Sequence, residues 1–152
     1  MADSYADITA REIVTTRIFD APRDRVFAAW TDPASLVQWW GPHGFTNTFH
    51  ECDMRPGGIW RHAMHGPDGR TYENESRFVE ITAPERIVID HLSPPEFRLT
   101  VTFDSYGDRT KLTFRQLFAS VGVYAGIKGL ATRGNEENFD RLAMVLAREP
   151  AT

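Results

Sequence analysis

Cysteine is nearly absent from this sequence. Cys52 is the only one, so no disulfide can form within the chain, which fits a reducing compartment. An excess of positive charge is missing too: Lys+Arg 17 stand against Asp+Glu 21, a formal net charge of -4, and nothing here offers a basic field for a phosphate backbone. Nucleic acid is thereby disfavoured as a partner. Met1 to Ile8 mixes Asp3 and Asp7 with small polar residues and lacks the basic start and apolar run of a signal peptide or membrane span. A soluble, cytoplasmic protein with a frayed first stretch is expected. There is no internal repeat, low-complexity tract or linker, and 152 residues suit one domain, with an ordered core over about 8–148. A chain of that length buries about two thirds of its unfolded surface and needs no disulfide or metal to fold.

What is present is strand, turn and strand. Ala10 to Phe19 is rich in β-branched residues and reads as a strand. Pro22 then suits the first turn of a helix carrying Val26, Phe27 and Trp30, and Thr31-Asp32-Pro33 ends it and caps a second short helix with Leu36, Trp39 and Trp40. Gly41-Pro42-His43-Gly44 breaks that helix at a sharp turn. Strands follow over Phe45 to Met54, Ile59 to His65, Arg70 to Thr82, Ile87 to Leu92, Phe97 to Asp104 and Thr110 to Phe118, separated by Gly- and Pro-rich turns. Such short turns require antiparallel neighbours. Phe97, Leu99, Val101 and Phe103 alternate with polar residues, and Thr110, Leu112, Phe114, Gln116 and Phe118 share one face.

The last element is a long helix, predicted over roughly 130–148. At about 100° per residue, Phe139, Leu142, Ala143 and Leu146 form one apolar stripe. Continued backwards, that stripe meets Asn135 and Thr132, with Asn138 at its margin. The back half is therefore expected to be packed, and the front half either lines a cavity or uses Thr132 or Asn135 to cap a helix start. Arg133, Glu137, Arg141 and Arg148 fall on the opposite side, with Glu137 and Arg141 spaced for a surface pair worth a few tenths of a kcal/mol. One sheet and one long helix make an α+β protein in which the sheet must bend to bury its apolar face, and a pocket remains where side chains are small or polar.

Phe19-Asp20-Ala21-Pro22, Val26-Phe27, Ala29 to Pro33, Trp39-Trp40-Gly41-Pro42, Gly44-Phe45, Pro56-Gly57-Gly58 and Pro84 to Ile87 follow one another in a familiar order and spacing. In these motifs the chain, from about Ile8 to Ala147, resembles the bacterial homologues of the activator of the heat-shock protein 90 ATPase, within the START and polyketide-cyclase superfamily. The resemblance implies the helix-grip fold: a curved antiparallel sheet of about seven strands wrapped round a C-terminal helix, with two short helices after the first strand and a cavity between sheet and helix. It also brings in a chaperone-interacting, stress-response role as one reading, without the separate N-terminal domain of the eukaryotic co-chaperones. Such proteins often carry Gly-Trp at the start of the last helix. Here the pair is Gly134-Asn135, which puts a smaller, more polar side chain where an aromatic would help plug the cavity.

Candidate site residues follow from faces and spacing. Trp60, His62 and Met64 share one strand face, as do Asn74, Ser76 and Phe78 on the next, giving an apolar pocket with a few polar groups if both point inward. Trp39 and Trp40 either grip a ligand at the mouth or seal the short helices to the sheet. Asn135, Asn138 and Phe139 complete the set from the helix. His62 and His65 are three apart on a strand and point to opposite faces, and His50 with Cys52 supplies only two ligands, so His50 is read as structural or cavity-lining and no metal or cofactor is assigned. Cys52 has no base beside it, and Glu73, Glu75 and Arg77 read as a solvated face. No catalytic residue is assigned. The expected partner is a small hydrophobic molecule, with a chaperone or a homodimer contact left open; a cyclase or hydrolase on the same cavity is the enzyme alternative, in which His62, Asn74 or Asn135 would polarise a substrate.

Overall fold

The computed structural model describes residues 11–148, so the frayed stretch expected at Met1 to Ile8 lies outside the described residues. In chain order the elements are β1 (Glu12–Phe19), α1 (Arg23–Thr31), α2 (Pro33–Trp39), β2 (Thr46–Cys52), β3 (Ile59–His65), β4 (Thr71–Thr82), β5 (Arg86–His91), β6 (Phe97–Tyr106), β7 (Arg109–Phe118) and α3 (Val121–Arg148). The strands form one seven-stranded sheet in the order β1-β7-β6-β5-β4-β3-β2, with every neighbour antiparallel. This is the helix-grip arrangement that the resemblance implies.

Local chemistry accounts for the two short helices. The Pro22 carbonyl accepts from the N–H groups of Arg25 and Val26, and the Asp32 side chain caps α2 by accepting from Ala34 N at 3.0 Å. Trp39 then donates from Nε1 to Ala29 O at 3.0 Å, which locks α2 against α1. Bulges at Phe49/Glu51 in β2 and Phe78/Glu80 in β4 bend those strands and add to the sheet's curve. Its concave face is shut at one end by the back of α3: Phe139 and Leu142 are fully buried, and the Phe139 ring meets Phe19 and Phe114 edge-on at 5.7 and 5.6 Å. Trp30, Trp39 and Phe103 fill the space beneath α1 and α2. Glu73, Glu75 and Arg77 alternate outward on β4, as their pattern predicts.

Three features of α3 differ from the expectation. The helix begins at Val121, about two and a half turns of mostly exposed chain before residue 130; Gly122, Gly126 and Gly129 and the lack of an apolar stripe hid that stretch. Thr132 is exposed and donates to Lys128 O at 2.7 Å, so it neither caps a helix start nor faces the sheet. Arg141 is half-buried and bonds main-chain carbonyls at the end of α2, not Glu137.

Candidate functional site

Beyond the packed half of α3 the curved sheet and the helix separate around a cavity of about 840 Å³. Each strand from β3 to β7 contributes inward residues. Trp60, His62 and Met64 come from β3, and Asn74 and Ser76 from β4. Ile89 and His91 come from β5, Phe97 and Leu99 from β6, and Phe114 and Gln116 from β7. The helix meets the cavity through Ile127, Ala131, Gly134, Asn135 and Asn138. Asn138 lies about 100° round the helix from Phe139, so the cavity-facing side is offset from the packed stripe. That offset turns Thr132 away and brings Gly134 in.

The turn after α2 forms the mouth. Gly41 has φ 99, a conformation that favours glycine, and a Cβ there would sit 2.8 Å from Met64 Cε and push the end of that side chain aside. Gly41 N donates to Asn138 Oδ1 at 3.1 Å and His43 N to Glu137 Oε1 at 3.1 Å, while His43 Nε2 lies 3.2 Å from Asp140 Oδ2. Four side chains of α3, counting Arg141, thus hold the turn that carries Trp40 to the cavity wall.

The wall contains buried polar groups without a protein partner among the described residues. His62 is 2% exposed, stacks on Trp60 at 4.4 Å and meets Phe49 edge-on, yet neither of its ring nitrogens makes a hydrogen bond among the described residues. Trp60 Nε1 is buried and unpartnered as well. Burial, and then the nearness of His91 and His50, pushes the His62 pKa down to about 4, so the ring is neutral at physiological pH, with one N–H to donate and one lone pair to accept. A buried polar group left unpaired costs roughly 1 to 3 kcal/mol, so His62 and Trp60 Nε1 are costly features of this wall.

Its neighbours are satisfied differently. His91 has acceptors on both sides, Pro95 O at 2.9 Å from Nδ1 and Asn74 Oδ1 at 2.9 Å from Nε2. Burial lowers the His91 pKa while the carbonyl contacts raise it. On the far side Asn135 Nδ2 donates to Gln116 Oε1 at 2.7 Å and to Thr15 Oγ1 at 3.3 Å, tying α3 to β7 and β1.

Of the residues singled out from the sequence, Trp40, Trp60, His62, Met64, Asn74, Ser76, Asn135 and Asn138 line the cavity. Phe78 and Phe139 are in the packed core, and His50 faces outward and bonds Glu73 Oε1 at 3.1 Å. Trp39 is fully buried and Trp40 half-buried, so the two rings divide the sealing and lining roles between them. Gln116 and His91 were not singled out as site residues. Gln116 carried a signal, a polar side chain inside an otherwise apolar face of β7. His91 carried none beyond sharing a strand face with Ile87 and Ile89. Cys52 is half-buried and its thiol is pushed up to about 11 by burial and Asp53, which suits a packing residue and not a nucleophile. Among the described residues no group of three or more His, Cys, Asp or Glu could hold a metal ion, and no helix is long and apolar enough to cross a membrane.

Comparison with known proteins points one way. Structures of similar fold include a protein from Arthrobacter aurescens, 28% identical over 96% of this chain and 91% of that one, with a TM-score of 0.85. Another, from Rhodobacter sphaeroides, is 27% identical over 93% of this chain and 96% of that one, with a TM-score of 0.80. A protein from Nitrosomonas europaea, 19% identical over 93% of this chain and 97% of its own, shares the fold with a TM-score of 0.85. No curated protein matches the sequence. The model of the family described as "Activator of Hsp90 ATPase homolog 1-like protein" matches residues 20–147, and the chain belongs to that family.

Proposed function

We propose that this protein encloses a small, mainly apolar molecule in the cavity between sheet and α3, as a single-domain binding protein of the cytoplasm. The observation that carries the reading is His62: a neutral imidazole in the wall of a mainly apolar cavity, with both nitrogens unpartnered beside the unpartnered Trp60 Nε1. Aromatic and aliphatic lining supplies the affinity, at about 25 cal/mol per Å² of apolar surface removed from water, and the few polar groups supply orientation. A cytoplasmic setting accords with the lone thiol of Cys52.

Native mass spectrometry of gently purified protein tests the proposal. A discrete extra mass, lost on denaturation and reduced in a His62→Leu variant of unchanged fold, is the expected result. A bare chain that also takes up none of a panel of uncharged aromatic compounds removes the reading.

A further inference from the structure

Two sets of unused hydrogen-bonding groups lie on opposite walls of the cavity. One is on β3 and β4, where His62 and Trp60 Nε1 lack partners and the Ser76 hydroxyl makes no hydrogen bond among the described residues; Trp60 and Ser76 are cross-strand neighbours. A half-turn of the His62 ring about Cβ–Cγ exchanges each nitrogen with a carbon, so the ring can present a nitrogen to either side. The other set lies between β7 and α3. There the bonds of Asn135 Nδ2 to Gln116 Oε1 and Thr15 Oγ1 leave Asn135 Oδ1 as an acceptor and Gln116 Nε2 as a donor, both without partners among the described residues.

Strand order sets the distance between them. β4 and β7 are three ladders apart, roughly 14 Å along the sheet at about 4.8 Å per strand. The wall between is mainly apolar, formed by Ile89, Leu99, Phe97 and Phe114; His91 also lies there, with both ring nitrogens already in hydrogen-bond contact with Pro95 O and Asn74 Oδ1. Charged side chains of the lining, Glu73, Arg133 and Glu137, are all exposed or half-exposed, so no counter-ion waits inside. An ion buried there would go unpaired. The amide pair offers one donor beside one acceptor, which matches a hydroxyl and mismatches a carboxylate, an acceptor only.

We infer that the cavity is shaped for an elongated, uncharged molecule with a hydrogen-bonding group at each end, one end met by His62 and Ser76 and the other by Gln116 and Asn135. This rests on the reading that the cavity encloses a ligand.

Four probes separate the two claims: trans-stilbene, its para-hydroxy derivative, its para,para′-diol and its para,para′-dicarboxylate, each titrated against the full chain by quenching of Trp40 and Trp60 fluorescence. Affinity is expected to rise roughly three- to tenfold with each hydroxyl, the worth of one neutral hydrogen bond, and to fall for the dicarboxylate. Gln116→Leu should cancel the gain from one hydroxyl and Ser76→Ala, with His62→Leu as a second variant, the gain from the other. Equal affinity for stilbene and diol, a dicarboxylate that binds tightest, or gains that survive all three substitutions would overturn the two-ended inference while leaving enclosure intact. Failure of all four probes to bind would count against enclosure itself.

Discussion

The guanidinium of Arg141 donates from Nη1 to the carbonyl oxygen of Trp40 at 2.9 Å. The same nitrogen reaches Gly41 O at 3.0 Å and Pro42 O at 3.1 Å, and Nη2 reaches Gln38 O at 2.9 Å. The Gln38 and Trp40 carbonyls belong to the end of α2 and those of Gly41 and Pro42 to the turn that follows, so one cation on α3 both finishes α2 and fixes the mouth of the cavity. Burial lowers the Arg141 pKa, but an arginine side chain stays charged.

Arg141→Met should therefore destabilise the fold by roughly 2 to 4 kcal/mol, because several carbonyls lose a charged donor at once. Arg141→Lys should recover only part of that, since a single ammonium cannot span the same fork. Urea unfolding of the three proteins measures it, and a lysine variant as stable as the parent would show that the fork is not needed.

Leu142→Ala should cost about 2 to 5 kcal/mol, the range for emptying a fully buried leucine site. Met144, on the same helix but 61% exposed, is the control: Met144→Ala should leave the melting temperature within a degree or so of the parent.

Acid should weaken the protein through His62. Its folded pKa is depressed to about 4 from 6.5, so as pH falls through this window the unfolded chain binds a proton that the folded chain refuses. Stability is complete above pH 6.5, declines between 6.5 and about 4, and has lost roughly 3 kcal/mol from this group at the bottom of the window. His62→Leu should flatten that part of the curve, as read by urea midpoints across pH; an unchanged slope would assign the acid sensitivity to other groups.

Asn135→Trp should shrink the cavity and weaken stilbene binding while the fold survives. It also removes the bond to Gln116, so a loss of about 1 kcal/mol in stability accompanies the loss of affinity. Unchanged affinity would place the probe elsewhere on the protein.

Cys52 should react slowly with a thiol reagent such as dithionitrobenzoate at mildly alkaline pH in the native state and rapidly in urea, because its thiol is held up to about 11 only while it is buried. Equal rates would mean that the site opens on the reagent's timescale.

Most of the strand pattern was legible because alternation and turn residues are local signals, and β3 in particular begins and ends at the residues its flanking glycines mark. The long helix was legible only where it packs. Before residue 130 it has three glycines and little buried surface, so no periodicity advertises it. Arg141 was misread because a helical wheel gives direction relative to the helix alone; the turn that folds over Arg141 comes from some hundred residues earlier in the chain. The same limit applies to the site. Faces of β3 and β4 put Trp60, His62 and Ser76 together, but Gln116 and Asn135 become partners only through the docking of α3 on β7.

The pairing of β1 with β7 has a consequence for how the molecule is made. Every other ladder joins consecutive strands, whereas Glu12 faces Leu117 and Phe19 faces Thr110 across nearly the whole chain. During synthesis the hairpins from β2 onward can zip in order as they emerge, but β1, although made first, has no ladder to join until residues 109–118 have left the ribosome. Closing that loop carries the largest entropic cost of any ladder in the sheet. Pairing of β1 therefore comes no earlier than the emergence of β7, and a chain that stalls before β7 leaves β1 without its partner strand.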